Sequence, residues 1–236
     1  VSHTEIEEIA PGVWLGVPAP GEGAMGAVVG TDLTLYIDAT SYPPFAARFV
    51  EAVEAERPAA RRLLYLTHRH YDHFAGTVAI DAPMLAHRLT RAALESYDPE
   101  WIDRHVPAWL AKGMLIEELV GEPQVVIPQL TFEGPLTIDT GGLTVDIWHQ
   151  GGHCADLCVA YVREHELFWG SDNVFSGRDP SVDHADVVTW IDALEGLDRP
   201  LKTVVPGHGP VGGPELIADQ LERLKRINLE LMREGV

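Results

Sequence analysis

The amino-acid sequence predicts an α/β fold, a four-layer αββα sandwich in which two mixed β-sheets pack face to face and helices cover both outer faces. Three observations lead there. Short β-rich runs open the chain and return in its second half, each half also carries an amphipathic helical stretch, and 46% of the residues are apolar against 22% charged. That is ordinary globular usage, so the apolar faces of both sets of strands have to be buried. The sequence shows no internal repeat, low-complexity tract or linker, and the 236 residues are expected to form one domain, 1–236.

In chain order, VWLGV at Val13–Val17, AMGAVVG at Ala24–Gly30 and LTLYID at Leu33–Asp38 read as antiparallel strands separated by glycine-containing turns. From Pro43 to Glu56 the apolar residues Phe45, Ala46, Phe49, Val50 and Val53 recur at helical spacing, and LLYLT at Leu63–Thr67 reads as a buried strand. Residues from His87 to Val120 look helical apart from breaks at Pro99, Pro107 and Gly113, which suggests a helical cap inserted at about 87–123. Strand-like runs follow at Gln124–Ile127, Leu130–Phe132, Leu136–Ile138, Leu143–Trp148, Leu157–Val162 and Glu166–Gly170. Asp186–Leu197 reads as a helix, Thr203–Val205 as a strand, and Pro214–Arg233 as a long helix with Leu216, Ile217, Leu221, Leu224 and Ile227 on one face.

Charge and cysteine content narrow the function. Acidic side chains outnumber basic ones 36 to 17, giving a formal net charge of −19, which works against a nucleic-acid partner. No apolar run is long enough to span a bilayer, so a membrane partner is not expected. Cys154 and Cys158 are too few for a disulfide framework, which makes the cytoplasm the default compartment, with export left open because the N-terminus lacks an initiator Met.

The chemistry concentrates at Thr67–Gly76, T-H-R-H-Y-D-H-F-A-G, where three imidazoles and a carboxylate crowd into six residues directly after a buried strand. Core filling gives no reason for such density, whereas metal binding does. His68 and His70, at alternate positions, suit two nitrogen ligands of one ion, and Asp72 and His73 are free to turn toward a second. Imidazole nitrogen and carboxylate oxygen fit zinc without excluding manganese or iron. There is no G-x-S-x-G elbow and no glycine-rich phosphate loop, so neither a serine nucleophile nor nucleotide chemistry is indicated.

H-R-H-Y-D-H resembles the H-x-H-x-D-H signature of the metallo-β-lactamase superfamily, and further motifs of that family follow in order. They are Gly151-Gly152-His153, the segment Phe168-Trp169-Gly170-Ser171-Asp172, and Pro206-Gly207-His208-Gly209. The resemblance implies two divalent ions, zinc first and manganese or iron as alternatives, one held by His68, His70 and His153 and the other by Asp72, His73 and His208, with Asp172 bridging. It further implies hydrolysis by a hydroxide held between the ions, with Asp72 handling the proton. Asp38, ending its strand, matches a family position that supports the metal loops. Ala75, in place of a glycine, and Ser171, between Gly170 and Asp172, depart from the pattern without removing a ligand.

Members of the superfamily act on β-lactams, lactones, thioesters and phosphodiesters, and some oxidise persulfides with a single iron. The expectation is a hydrolase of a small ester, lactone or thioester, with the iron persulfide dioxygenase and the β-lactam hydrolase as alternatives. The partner expected is a small-molecule substrate, with Trp101, His105 and Trp109 of the cap as candidate contacts and a homodimer as a family-level expectation.

Overall fold

The computed structural model describes residues 5–98 and 100–234. Pro99, read above as a helix break, and the first four residues lie outside them. The chain divides into two compact units, the first running to Glu133 and taking in Asp139–Leu143, the second comprising Gly134–Ile138 and everything from Thr144 onward.

In the first unit the strands are β1 (Glu5–Ala10), β2 (Val13–Val17), β3 (Met25–Val29), β4 (Thr34–Ile37), β5 (Arg62–Leu66), β6 (Met84–His87) and β7 (Leu130–Phe132). They form one sheet in sequence order, antiparallel from β1 to β4 and parallel from β4 to β7. Helix α1 (Pro43–Glu56) starts on two prolines, whose fixed φ suits a first helical turn, and lays Phe45, Phe49 and Val53 into a core with Met25, Tyr36, Leu64 and Leu66. Three further helices complete the unit: α2 (Tyr71–Phe74), α3 (Arg88–Glu95) and α4 (Trp101–Ala111). Because β4 and β5 run parallel in register, with Ile37 beside Tyr65, both deliver the residues that follow them to the same edge of the sheet.

The second unit holds β8 (Leu136–Asp139), β9 (Thr144–His149), β10 (Cys158–Val162), β11 (Leu167–Phe175) and β12 (Thr203–His208), in the order β12-β11-β10-β9-β8. β11 is antiparallel to β10 and parallel to β12, so this sheet is mixed as well. Helices α5 (Val187–Glu195) and α6 (Glu215–Glu234) pack Trp190, Leu194, Leu216 and Leu224 against Val159, Phe168 and Val204. The fold class is thus two mixed sheets flanked by helices. No helix among the described residues is long and apolar enough to cross a membrane.

Several local expectations need correction. Gln124–Ile127 forms no strand: Pro123 and Pro128 bracket it, and neither has an N–H to give to a sheet ladder. The cap region does not open with helix at His87, which ends β6 and caps α3 through Nδ1, accepting from the Leu89 N–H at 3.4 Å. Helix α4 runs through Pro107 instead of breaking there. β1 and β6 had not been anticipated. The acidic E-I-E-E-I-A and the four-residue M-L-A-H carry too little β-branched or aromatic character to read as strands on their own.

Candidate metal centre

In the first unit the donors follow the end of β5. His68 and His70 lie in the loop, and His70 caps the short helix α2, which carries Asp72 and His73. His68 and His73 are fully buried, and their ring centroids are 4.2 Å apart; His68 and His70 are 4.7 Å apart. Asp38, directly after β4, organises this group. Its carboxylate accepts the Thr67 backbone N–H at 2.8 Å, the Thr67 hydroxyl at 2.8 Å and the Nδ1–H of His73 at 2.9 Å.

Since the Thr67 hydroxyl proton is directed to Asp38, the His68 Nδ1, 3.0 Å from Thr67 Oγ1, is the donor of that pair. Both histidines therefore carry their proton on Nδ1 and offer a lone pair at the buried Nε2. Burial raises the Asp38 pKa, opposed first by the electrostatic effect of His73 and then by the hydrogen bonds from His73 and Thr67. The backbone here is strained, with φ of 57° at Asp38 and 59° at Thr40. Gly76 lets the chain pass so close that a Cβ would sit 2.0 Å from the Ala39 carbonyl oxygen, and its N–H donates to Thr40 O at 3.0 Å. Ala75 is accommodated because the close approach falls on Gly76.

In the second unit the donors come from three separate places. His153 sits in the loop between β9 and β10, Asp172 lies within β11, and His208 ends β12. The pairing of β11 with β12 shifts register on either side of Ser171, which has a φ of 45°. That irregularity redirects the chain at Asp172. His153 Nε2 is 3.2 Å and His208 Nε2 3.6 Å from Asp172 Oδ2, so two imidazoles converge on one carboxylate oxygen. The His153 Nδ1 is 3.1 Å from the Ser181 carbonyl, which sets the same Nδ1–H tautomer as in the first unit. Phe175 stacks on the His208 ring at 5.3 Å. Gly207 is indispensable here, because a Cβ at that position would fall 1.9 Å from Asp172 Oδ1.

The seven predicted donors thus gather within their own units, four in the first and three in the second, and Asp38 accepts hydrogen bonds from His73 and Thr67 beside the first set. The arrangement fits a borderline divalent cation: the donors are imidazole nitrogens and carboxylates, and three histidines have the opposite ring nitrogen held by an oxygen, as metal-bound imidazoles do. Trp101, His105 and Trp109 line one side of α4. Trp101 stacks on Tyr97 at 4.4 Å and on His105 at 4.5 Å, and Trp109 lies 4.8 Å from Tyr71, the residue before Asp72. These aromatics pack against the ligand-bearing helix.

Thr67, Ser181, Phe175 and Asn173 escaped sequence reasoning. A signal existed only for Thr67 and Asn173, polar residues adjacent in sequence to a predicted ligand.

These features define a class, proteins of two mixed sheets whose strand ends carry imidazole and carboxylate donors suited to a divalent cation, and the comparisons narrow it. A type 2 metallo-β-lactamase of Bacteroides fragilis is 28% identical over 107 residues, 42% of this chain and 43% of that protein. The human acyl-coenzyme A thioesterase MBLAC2 is 25% identical over 188 residues, 72% of this chain and 65% of that one. Both matches span less than two thirds of the relative's own length. The solved metallo-β-lactamase of Pontibacter korlensis superposes with a TM-score of 0.73 at 20% identity, covering 94% of this chain and 99% of that one. No protein-family model matches the chain. Motifs and relatives support the metallo-β-lactamase superfamily, and the fold is that of the solved metallo-β-lactamases.

Proposed function

We propose that the protein is a metal-dependent hydrolase of a small ester, lactone or thioester. In this reading, which follows the motifs, His68, His70 and His153 would hold one ion and Asp72, His73 and His208 another, with Asp172 as a further carboxylate donor. The observation that carries it is the common orientation of His68, His73 and His153, each with Nδ1 held by an oxygen, so that Nε2 is the ring nitrogen that would face an ion. Two divalent cations, zinc in our reading, supply a water whose pKa is lowered toward about 7 and polarise the substrate carbonyl. The chain's part is to hold the donors in one tautomer and geometry and, at Asp72, to take up and pass on a proton. An Asp72→Asn protein that retains its metal should lose most of its turnover; full activity with metal bound would end that role.

Among the three acyl classes the thioester is favoured by the name of the human relative, an acyl-coenzyme A thioesterase. A second reading, β-lactam hydrolysis, draws on the two relatives named as type 2 metallo-β-lactamases. Elemental analysis of protein purified without chelator or added metal is the test, followed by a screen of acyl thioesters, lactones and β-lactams. About two equivalents of zinc per chain with thioester turnover would support the proposal. About one equivalent of iron with oxygen uptake on persulfides would replace it with the dioxygenase.

A further inference from the structure

The loop carrying His153 is tied to β11 through the side-chain amide of Asn173, beside the contact of His153 with Asp172. Asn173, fully buried and next in sequence to Asp172, uses both ends of its amide. Its Oδ1 accepts the His153 backbone N–H at 3.1 Å, and its Nδ2 donates to the Gly151 carbonyl at 2.8 Å and to Gln150 Oε1 at 2.8 Å. Its own carbonyl accepts the indole N–H of Trp190 at 3.0 Å, and the Trp190 ring meets His153 edge-on at 5.4 Å. Gly151 and Gly152 take φ of 68° and 96°, and the backbone of the turn is held by the Gln150 and Gly151 N–H groups on the Leu157 carbonyl and by the Asp186 N–H on the Gly152 carbonyl, while the His153 N–H itself goes to Asn173. Asn173 bonds the chain on both sides of that turn, from the position that follows Asp172.

We infer that Asn173 is a positioning residue that sets His153 against Asp172 and so determines the affinity for the ion His153 holds. The ion held by Asp72, His73 and His208 does not depend on it. This rests on the two-ion reading above.

The experiment titrates metal-free protein with zinc against a chromophoric chelator, alongside the melting temperature of the metal-free form and the visible spectrum after cobalt loading. Asn173→Ala should bind one zinc as the wild type does and the other about 10- to 100-fold more weakly, the usual effect of losing a ligand's supporting partner. Its cobalt spectrum should lose the contribution of one site. Asn173→Asp keeps the shape and the Oδ1 acceptor but turns an oxygen toward the Gly151 carbonyl, so it should weaken the same zinc, and it serves if the alanine variant does not fold. Trp190→Phe removes the indole donor and leaves the Asn173 amide in place; it should lower the melting temperature without moving either zinc affinity. Unchanged affinities in both Asn173 variants, or an equal loss at both ions, would overturn the role of Asn173 alone. A wild type that takes up no zinc would overturn the hydrolase reading and this inference together.

Discussion

The two units solve the same problem differently. In the first, four donors lie within one short stretch, and a single buried carboxylate, Asp38, fixes the protons of two of them. In the second, three donors come from a loop and two strands, and their meeting depends on sheet register, on the glycine at Gly207 and on the Asn173 clamp. The first set is governed mainly by local chemistry, the second by packing. Substitutions that touch the donors of the first unit should therefore change affinity more than stability, those that touch the donors of the second should change both, and those in the second unit away from the donors should change stability alone.

The largest effect is expected where both histidines of the second unit converge. Asp172→Ala removes a carboxylate donor and should lower turnover more than about 100-fold, beyond the 10- to 100-fold cost of losing an outer partner. Elemental analysis of the purified variant should show that bound metal has fallen as well. Asp38→Asn comes next. It keeps the shape but puts an amide where Thr67 and His73 both need an acceptor, so metal affinity should drop about 10- to 100-fold in a chelator competition while the metal-free melting curve moves little. A large fall in melting temperature for Asp38→Asn would erase the contrast between the units.

Gly207→Ala sharpens the contrast from the other side. Its methyl group collides with Asp172, and the strain should cost about 1–3 kcal/mol, seen as a lower melting temperature even in the presence of chelator. The smallest effect belongs to Asp146, a buried support in the second unit that takes a bidentate contact from Arg163 at 2.6 and 2.8 Å and a further one from Arg199 at 3.0 Å. Arg163 first, then the Thr137 hydroxyl, hold its pKa at about 2, below the usual carboxylate value, against the effect of burial. A depressed pKa stabilises the fold above the ordinary carboxylate range, and that stabilisation is lost as pH falls toward about 2. Asp146→Asn should cost about 1–2 kcal/mol at neutral pH, discounted because both arginines are half exposed. Urea unfolding midpoints of the two proteins should converge between pH 4 and 2, with zinc affinity unchanged at neutral pH.

The same division explains what could be read in advance. The candidate donors stood out because the dense H-R-H-Y-D-H cluster pointed to a metal and gave weight to the downstream Gly-His motifs, which alone read as turns, and the fold class because helix α1 and strands such as β2 carry clear periodicity. Asn173 offered only its place beside Asp172 as a signal and Ser181 none, since an amide and a backbone carbonyl gain their role when the chain brings His153 to them. Gln124–Ile127 misled because its side chains suit a strand while the flanking prolines deny it a partner, and Pro107 because helix α4 tolerates one missing hydrogen bond. Asp38 was anticipated as a support, but the proton arrangement it imposes emerged only from the hydrogen bonds.

The two cysteines carry a practical consequence. Cys154 and Cys158 are buried, and burial pushes the Cys158 thiol far above its ordinary pKa, so it stays protonated and shielded from oxidants. The protein can then be purified and stored without dithiothreitol or mercaptoethanol, reagents whose own sulfur would compete for zinc and falsify every metal titration described above.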